Sequence, residues 1–209
     1  MPTERTTLRR LPDRGRHDRE MIDAILDEAL FCHLALVDPD GRPFVVPTIH
    51  ARSGDHVYVH GSPASRTLRA ASRVDCCVSV TLIDGLVLAR SGFHHSMNYR
   101  AVVIYGRAER VDDPDEKRAA LDTVVEHVVR GRTAHARGAN DTELKGTLVL
   151  RLAIDEASAK VRSGGPLDDD DDMDLDVWAG VVPLHLVPGD PIPDNDRPWP
   201  GYDLNRAGR

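Results

Sequence analysis

The chain lacks any long hydrophobic run. No apolar stretch approaches the ~18 residues of a membrane span, so no transmembrane helix is expected. The N-terminus is polar and arginine-rich, without the apolar segment of a signal peptide, and a cytoplasmic protein is the resulting expectation. Cysteine is scarce, at three residues. Cys76 and Cys77 are adjacent, and neighbours on a strand face opposite ways, so this pair suits neither a disulfide nor two ligands of one metal. With Cys32 in an apolar run, all three read as small buried hydrophobes in a reducing compartment. Nucleotide loops of the Gly-x-Gly-x-x-Gly or Gly-Lys-Ser/Thr kind are absent. So are a compact Cys/His zinc pattern and a calcium loop with its distal glutamate. No metal site is expected, and no repeat of solenoid period is present.

The net charge of −7 looks acidic until it is located. Asp168 to Asp172, Asp174 and Asp176 supply seven carboxylates, and without them 27 acidic residues balance 27 basic ones. A neutral body carries neither the basic footprint of a nucleic-acid binder nor a membrane-surface patch. The aspartate run itself reads as a solvated, self-repelling loop.

What is present is mostly β. Residues 18–29 place Met21, Ile22, Ile25, Leu26 and Ala29 at helical spacing behind Asp18, a good N-cap. Phe31–Val37 and Phe44–His50 flank Asp38-Pro39-Asp40-Gly41, a strong hairpin turn. Val57–His60 follows as a third strand, and Ser65–Ser72 as a short helix. Val74–Leu82 alternates, with Val74, Cys76, Val78 and Val80 on one face. Ala101–Val111 and Thr147–Ile154 are further strands. Between them Asp115–Val129 is helical, with Leu121, Val124, Val125, Val128 and Val129 as its apolar stripe. Short strand spacing with few helices predicts a closed barrel rather than βαβ units. Residues 1–17 form an N-terminal arm, 18–186 one domain, and 187–209 a proline-rich tail. That tail is expected to be extended and to wrap a partner subunit, with Trp199 as an anchor.

Two segments carry chemistry. Val57 to Arg69 runs from a strand through Gly61-Ser62-Pro63 into a helix, a pattern that can hold phosphate. Ser62 and Ser65 offer hydroxyls, and Arg66 offers a forked pair of donors. The second, Gly92 to Gly106, sets Ser96, Asn98 and Tyr99 at the mouth of a β-branched strand. There a side-chain amide can read the edge of a heterocycle.

Together with Leu34–Pro43, Val45–Thr48, Lys160–Pro166 and Val177–Leu184, these segments resemble the pyridoxamine 5′-phosphate oxidase-like flavoproteins. The similarity is greatest to their nitroimidazole-resistance and flavin-nucleotide-binding branch. It runs over residues 18–186. The resemblance implies a split β-barrel, mostly β with a few helices, forming a homodimer with FMN at the subunit interface. Carried over by position, Val46, Pro47 and Thr48 lie along the flavin ring. His60, Gly61, Ser62, Ser65 and Arg66 hold the phosphate and ribityl chain. Asn98, Tyr99 and Arg100 reach the ring or ribityl, and Trp178 closes the site. Flavin-dependent oxidoreduction of a small molecule is the implied activity, with no catalytic residue identified. The chain departs from the true oxidases in its phosphate turn and in its C-terminal Trp178–Leu184, so vitamin B6 oxidation is not expected. A non-catalytic flavin store or sensor is one alternative, and two others use other cofactors. A deazaflavin such as F420 fits the same fold, and His50, His56, His60, His94 or His95 could ligate a haem.

Overall fold

The computed structural model describes residues 3–206. Helix α1 (Arg19–Glu28) begins where the Asp18 carboxylate accepts a hydrogen bond from the Met21 amide at 2.9 Å, the expected N-cap. It turns Ile22, Ile25 and Leu26 inward, each no more than 3% exposed. Strands β2 (Phe31–Val37) and β3 (Pro43–Ser53) form the predicted hairpin. At its turn the Asp38 side chain accepts from the amides of Asp40 and Arg42, and Gly41 takes a φ of 80°, which a residue with a Cβ resists. β4 (His56–Gly61) completes the meander, and α2 (Arg66–Ala71) follows it.

The remaining elements are β5 (Cys76–Leu88), β6 (Ser96–Gly106), β7 (Glu109–Arg110), α3 (Pro114–Val128), α4 (Asp141–Lys145), β8 (Leu148–Ala153), β9 (Glu156–Arg162) and β10 (Gly180–Pro183). With a short β1 (Gly15–Arg16) they make one antiparallel sheet in the order β1-β9-β6-β5-β2-β3-β4-β8-β7, with β10 also on β5. Among the described residues no ladder joins β1 to β7. The closed barrel predicted from strand spacing is therefore corrected to a split one, its two ends finished by two-residue edge strands that present little unpaired backbone.

The interior face carries Leu34, Val78, Val80, Val102, Ile104 and Leu150, all at most 2% exposed. Burial pushes the Cys32 thiol up to about 12 and the Cys76 thiol up to about 11, so both stay protonated as apolar fillers. On the outer face of β4 and β8, α3 lays Ala120 against Tyr58, Val111 and Val149 in a second cluster. Of the expected stripe, Val124 is buried at 7% exposed and Leu121 packs on that cluster, while Val125 is 36% and Val128 40% exposed. Several bounds also shift. β5 starts at Cys76 and runs on to Leu88, while the strand expected over 101–111 begins at Ser96 and stops at Gly106. No helix is long and apolar enough to cross a membrane among the described residues.

Candidate functional site

β4 delivers His60 and Gly61 directly to the start of α2. A Cβ on Gly61 would lie 2.9 Å from Leu68 Cδ1, so a larger residue there would push the Leu68 side chain aside. The intervening turn is self-braced. The Ser65 amide donates to Ser62 O at 2.9 Å, Ser62 Oγ accepts from the Ala64 amide, and Ser65 Oγ caps the helix through Leu68 N. Each hydroxyl keeps its own hydrogen free to donate outward. Arg66 is exposed and rests its guanidinium 4.9 Å above the Phe44 ring.

That contact opens a cleft of about 270 Å³ between the 38–44 turn and α2. Four arginines line it, Arg42, Arg66, Arg69 and Arg73, against Asp38 and Asp40. Asp40 pairs with Arg42 at 3.5 Å, and among the described residues no ion pair is formed by Arg66, Arg69 or Arg73. The cleft is a positively charged trough with one aromatic face.

On the other side of His60 lies a cavity of about 1290 Å³. Ile49 and His60 form its floor, Val124, Val125, Val128 and Val129 its wall, and the segment 191–202 its roof. His60 is part of that lining, and its Nδ1 is buried out of contact with solvent, without a hydrogen-bond partner among the described residues. Burial lowers the His60 pKa, so the ring is neutral near neutral pH. His135 also lines the cavity, and its Nδ1 donates to Gly131 O at 3.2 Å. The Tyr202 ring meets His135 edge-on at 5.7 Å and Trp199 at 5.1 Å, and Arg132 donates to the Tyr202 hydroxyl. Arg206 latches the roof, donating to Glu28 O at 2.7 Å and Asp27 O at 2.8 Å at the end of α1. The tail thus covers a cavity of its own chain.

Val46 and Pro47 are exposed on β3, Thr48 is half-buried, and all three lead straight into Ile49 at the cavity floor. The β6 residues lie three strands away and are otherwise occupied. Arg100 is held in a double fork by Glu28 (2.7 and 2.8 Å) and Asp84 (3.0 and 2.7 Å), which raises its pKa further. Asn98 is 9% exposed, accepts from the buried Arg162 and donates to Gly164 O at 3.1 Å. Tyr99 points to the opposite face. Trp178 is 65% exposed, packs against Gly180 beside the β5 edge, and does not line the cavity. One chain therefore assembles His60, Gly61, Ser62, Ser65 and Arg66, with Val46 to Thr48 alongside, but not Asn98, Tyr99, Arg100 or Trp178.

The aspartate run is only partly a solvated loop. Asp168 has a sealed carboxylate, its side chain 1% exposed, that accepts from Arg90 N at 2.9 Å, Ser91 N at 3.2 Å and the Arg90 guanidinium. Burial raises its pKa, but these hydrogen bonds outweigh burial and the net shift is downward. The clamp brings His94 beside Asp169 and Asp172, with ligand atoms within 4.8 Å of one another and open to solvent. Of the other histidines, His50 is fully buried against Leu26 O, while His95 bonds Ser91 O on the surface.

The chain is an open antiparallel split barrel with a basic trough beside a large cavity. The chain belongs to the pyridoxamine 5′-phosphate oxidase-like family: the family model "Pyridoxamine 5′-phosphate oxidase" matches residues 18–161. The structure of the flavocytochrome Anf3 from Azotobacter vinelandii is 40% identical, with a TM-score of 0.87 over 96% of this chain and 95% of that one. The FAD and haem binding protein from Mycobacterium smegmatis is 39% identical, with a TM-score of 0.83 over 90% of this chain and 92% of that one. A putative 5-nitroimidazole antibiotic resistance protein from Bacteroides thetaiotaomicron is 25% identical, with a TM-score of 0.60 over 70% of this chain and 86% of that one. Among curated proteins, none matches the chain.

Sequence reasoning missed the cavity's wall and roof. The α3 valines were legible as a stripe, but a stripe facing a core and a stripe facing a cavity share one periodicity. The signal was in the strand register. β3 pairs His50 with Val59, which carries Ile49 opposite His60 and marks where the outer sheet face meets α3.

Proposed function

We propose that this chain is a redox protein that binds a flavin nucleotide and a haem. The observation that carries the reading is the 1290 Å³ cavity with His60 in its lining, one residue from the phosphate turn and with its Nδ1 buried and unpartnered among the described residues. A buried polar atom without a partner costs stability, and a turn of the His60 ring would bring it to a hydrogen-bonding edge held in the cavity. Its volume also exceeds the ~300–1,000 Å³ usual for one ligand, leaving room for a second flat cofactor. Two relatives near 40% identity bear names that pair these groups, a flavocytochrome and an FAD and haem binding protein.

In this reading Val46, Pro47, Thr48 and Ile49 support the ring by backbone and apolar contact, and His60 hydrogen-bonds its edge. The free hydroxyl hydrogens of Ser62 and Ser65, with Arg66, bind phosphate. We assign FAD where the sequence suggested FMN, because Arg69 and Arg73 extend the basic trough past the turn, giving it cations for a second phosphate. Bound there, the flavin supplies one- and two-electron chemistry, while the protein orients it and keeps water from it. The segment 191–202 performs that exclusion. A small molecule is the expected electron donor or acceptor, in a cytoplasmic setting consistent with three free cysteines.

The same reading includes a homodimer. Phe31, Val37, Val45 and Ile49 stand 41–64% exposed on one outer face of β2 and β3, beside Pro47 and running into the cavity floor. A second copy covering that face would close the ring site from outside.

The deciding experiment is the absorbance spectrum of the purified protein, followed by mass spectrometry of what denaturation releases. Flavin bands with a Soret band, and FAD among the released species, are expected. A protein that stays colourless after incubation with FAD, FMN and haemin would overturn the reading.

A further inference from the structure

Resting on the haem half of that reading, we infer that His135 is the axial ligand of the haem iron, through Nε2. Among the histidines lining the cavity, only His135 has the electronic arrangement a ligand needs. Its Nδ1 must carry the hydrogen, because that atom donates to the Gly131 carbonyl at 3.2 Å. In the neutral ring this leaves the lone pair on Nε2. Metal-bound imidazoles almost always show this second bond, which sets ring orientation and raises ligand basicity. His60, the other cavity histidine, has no partner at Nδ1, so nothing fixes its tautomer. Its unsatisfied atom suits a hydrogen bond to a flavin edge instead.

The surroundings of His135 match the rest of a haem. Val125 and Val128, left 36% and 40% exposed by the fold, give α3 an apolar wall for the macrocycle. Arg132 and Arg197 line the same cavity and supply two cations for two propionates. Tyr202, edge-on to His135 at 5.7 Å, holds the imidazole from the roof side. The Gly131 turn that bears the ligand is itself pinned. Glu126 accepts from the Gly131 and Thr133 amides, and these bonds, with that from the Thr133 hydroxyl, lower its pKa. A ligand on a short turn is thus braced against α3 rather than left on a free loop.

The test is haemin titration of the full-length flavin-loaded protein and of His135→Ala and His60→Ala, read by the Soret band, its low-spin or high-spin character, and affinity. Wild type should bind one haem per chain. His135→Ala should lose at least about tenfold in affinity or turn high-spin, and added imidazole should restore the wild-type spectrum. That rescue separates ligation from a structural role. His60→Ala should keep the iron spectrum and perturb the flavin bands. A His135→Ala protein with wild-type spectrum and affinity overturns the assignment while leaving the haem reading intact, as does loss of ligation in His60→Ala alone. Failure of wild type to take up haemin overturns both.

Discussion

The rings of His50 and His127 lie 4.9 Å apart and inclined by 53°, each with Nε2 on a backbone carbonyl at the end of α1, Leu26 O at 2.9 Å and Ala29 O at 2.8 Å. Both rings are held toward the neutral form. Burial is the main reason, reinforced by their mutual repulsion when charged and by Arg206, whose guanidinium is 3.2 Å from His127 Nε2. The His127 pKa is lowered to about 4. In the unfolded chain the same ring takes its proton near ~6.5. Between those values the unfolded state binds more protons, so stability falls as pH drops through that window. The expected loss attributable to His127 is on the order of 3 kcal/mol between pH 7 and 4. Urea denaturation across that range should show a shallower pH dependence in His127→Gln than in wild type. Equal slopes would place the acid sensitivity elsewhere.

Arg100 is a structural cation. With Glu28 and Asp84 it ties α1 to β5 and β6, and side-chain exposures of 14–34% put the triad between surface and core. Replacing Arg100 with methionine leaves two carboxylates facing each other and should cost about 1–3 kcal/mol. Flavin affinity should change less than about twofold once the protein is folded, an outcome isothermal titration can check against the sequence-based assignment of Arg100 to the cofactor.

A related argument applies to Asn98. Its carbonyl oxygen accepts from Arg162, which is 6% exposed and whose pKa is lowered by burial and by nearby Arg14. Asn98→Ala removes the side-chain acceptor of a buried guanidinium and should destabilise by about 2 kcal/mol. The double variant with Arg162→Met should recover part of that loss, because the charge is then gone. A fully additive double variant would show that the pair is not coupled.

The contrast between His60 and these two residues shows what was legible. Alternation, capping and turn chemistry are local, so α1 with Asp18, the hairpin at Gly41 and the Gly61–Arg66 turn could all be read in advance. Asn98 was read as a polar group at a strand mouth, and the resemblance gave Arg100 to the cofactor; both stand inside β6, which starts earlier than expected. Whether they face a ligand or another side chain depends on Arg162 for Asn98 and on Glu28 for Arg100, sixty-four and seventy-two residues away along the chain. No local pattern encodes that. β9 was missed for a similar reason: Glu156–Arg162 has weak strand character and is held by β6 on one side and β1 on the other.

The basic trough yields a discriminating pair of variants. Arg66→Ala deprives the nucleotide of a charge-assisted phosphate contact and should weaken FMN and FAD alike by about 1.5–3 kcal/mol, roughly ten- to a hundred-fold. Arg69→Ala with Arg73→Ala should weaken FAD by at least about tenfold and leave FMN nearly unchanged, since only the dinucleotide reaches that far. Fluorescence titration with each flavin measures this directly. Equal losses for both flavins would return the assignment to FMN.

The tail gives the last prediction. Residues 191–202 contribute nothing to the buried core, yet they roof the cavity, and Arg206 fastens them to the end of α1. Deleting residues 188–209 should therefore leave a folded barrel with its flavin site open. Iodide should quench the bound flavin's fluorescence several-fold more strongly, and flavin affinity should fall by about tenfold as water re-enters. Self-association, measured by sedimentation, should be unchanged, because the roof lies on its own chain. A truncated protein that dissociates but keeps its flavin shielded would instead make the tail, with Trp199, an arm for the partner subunit.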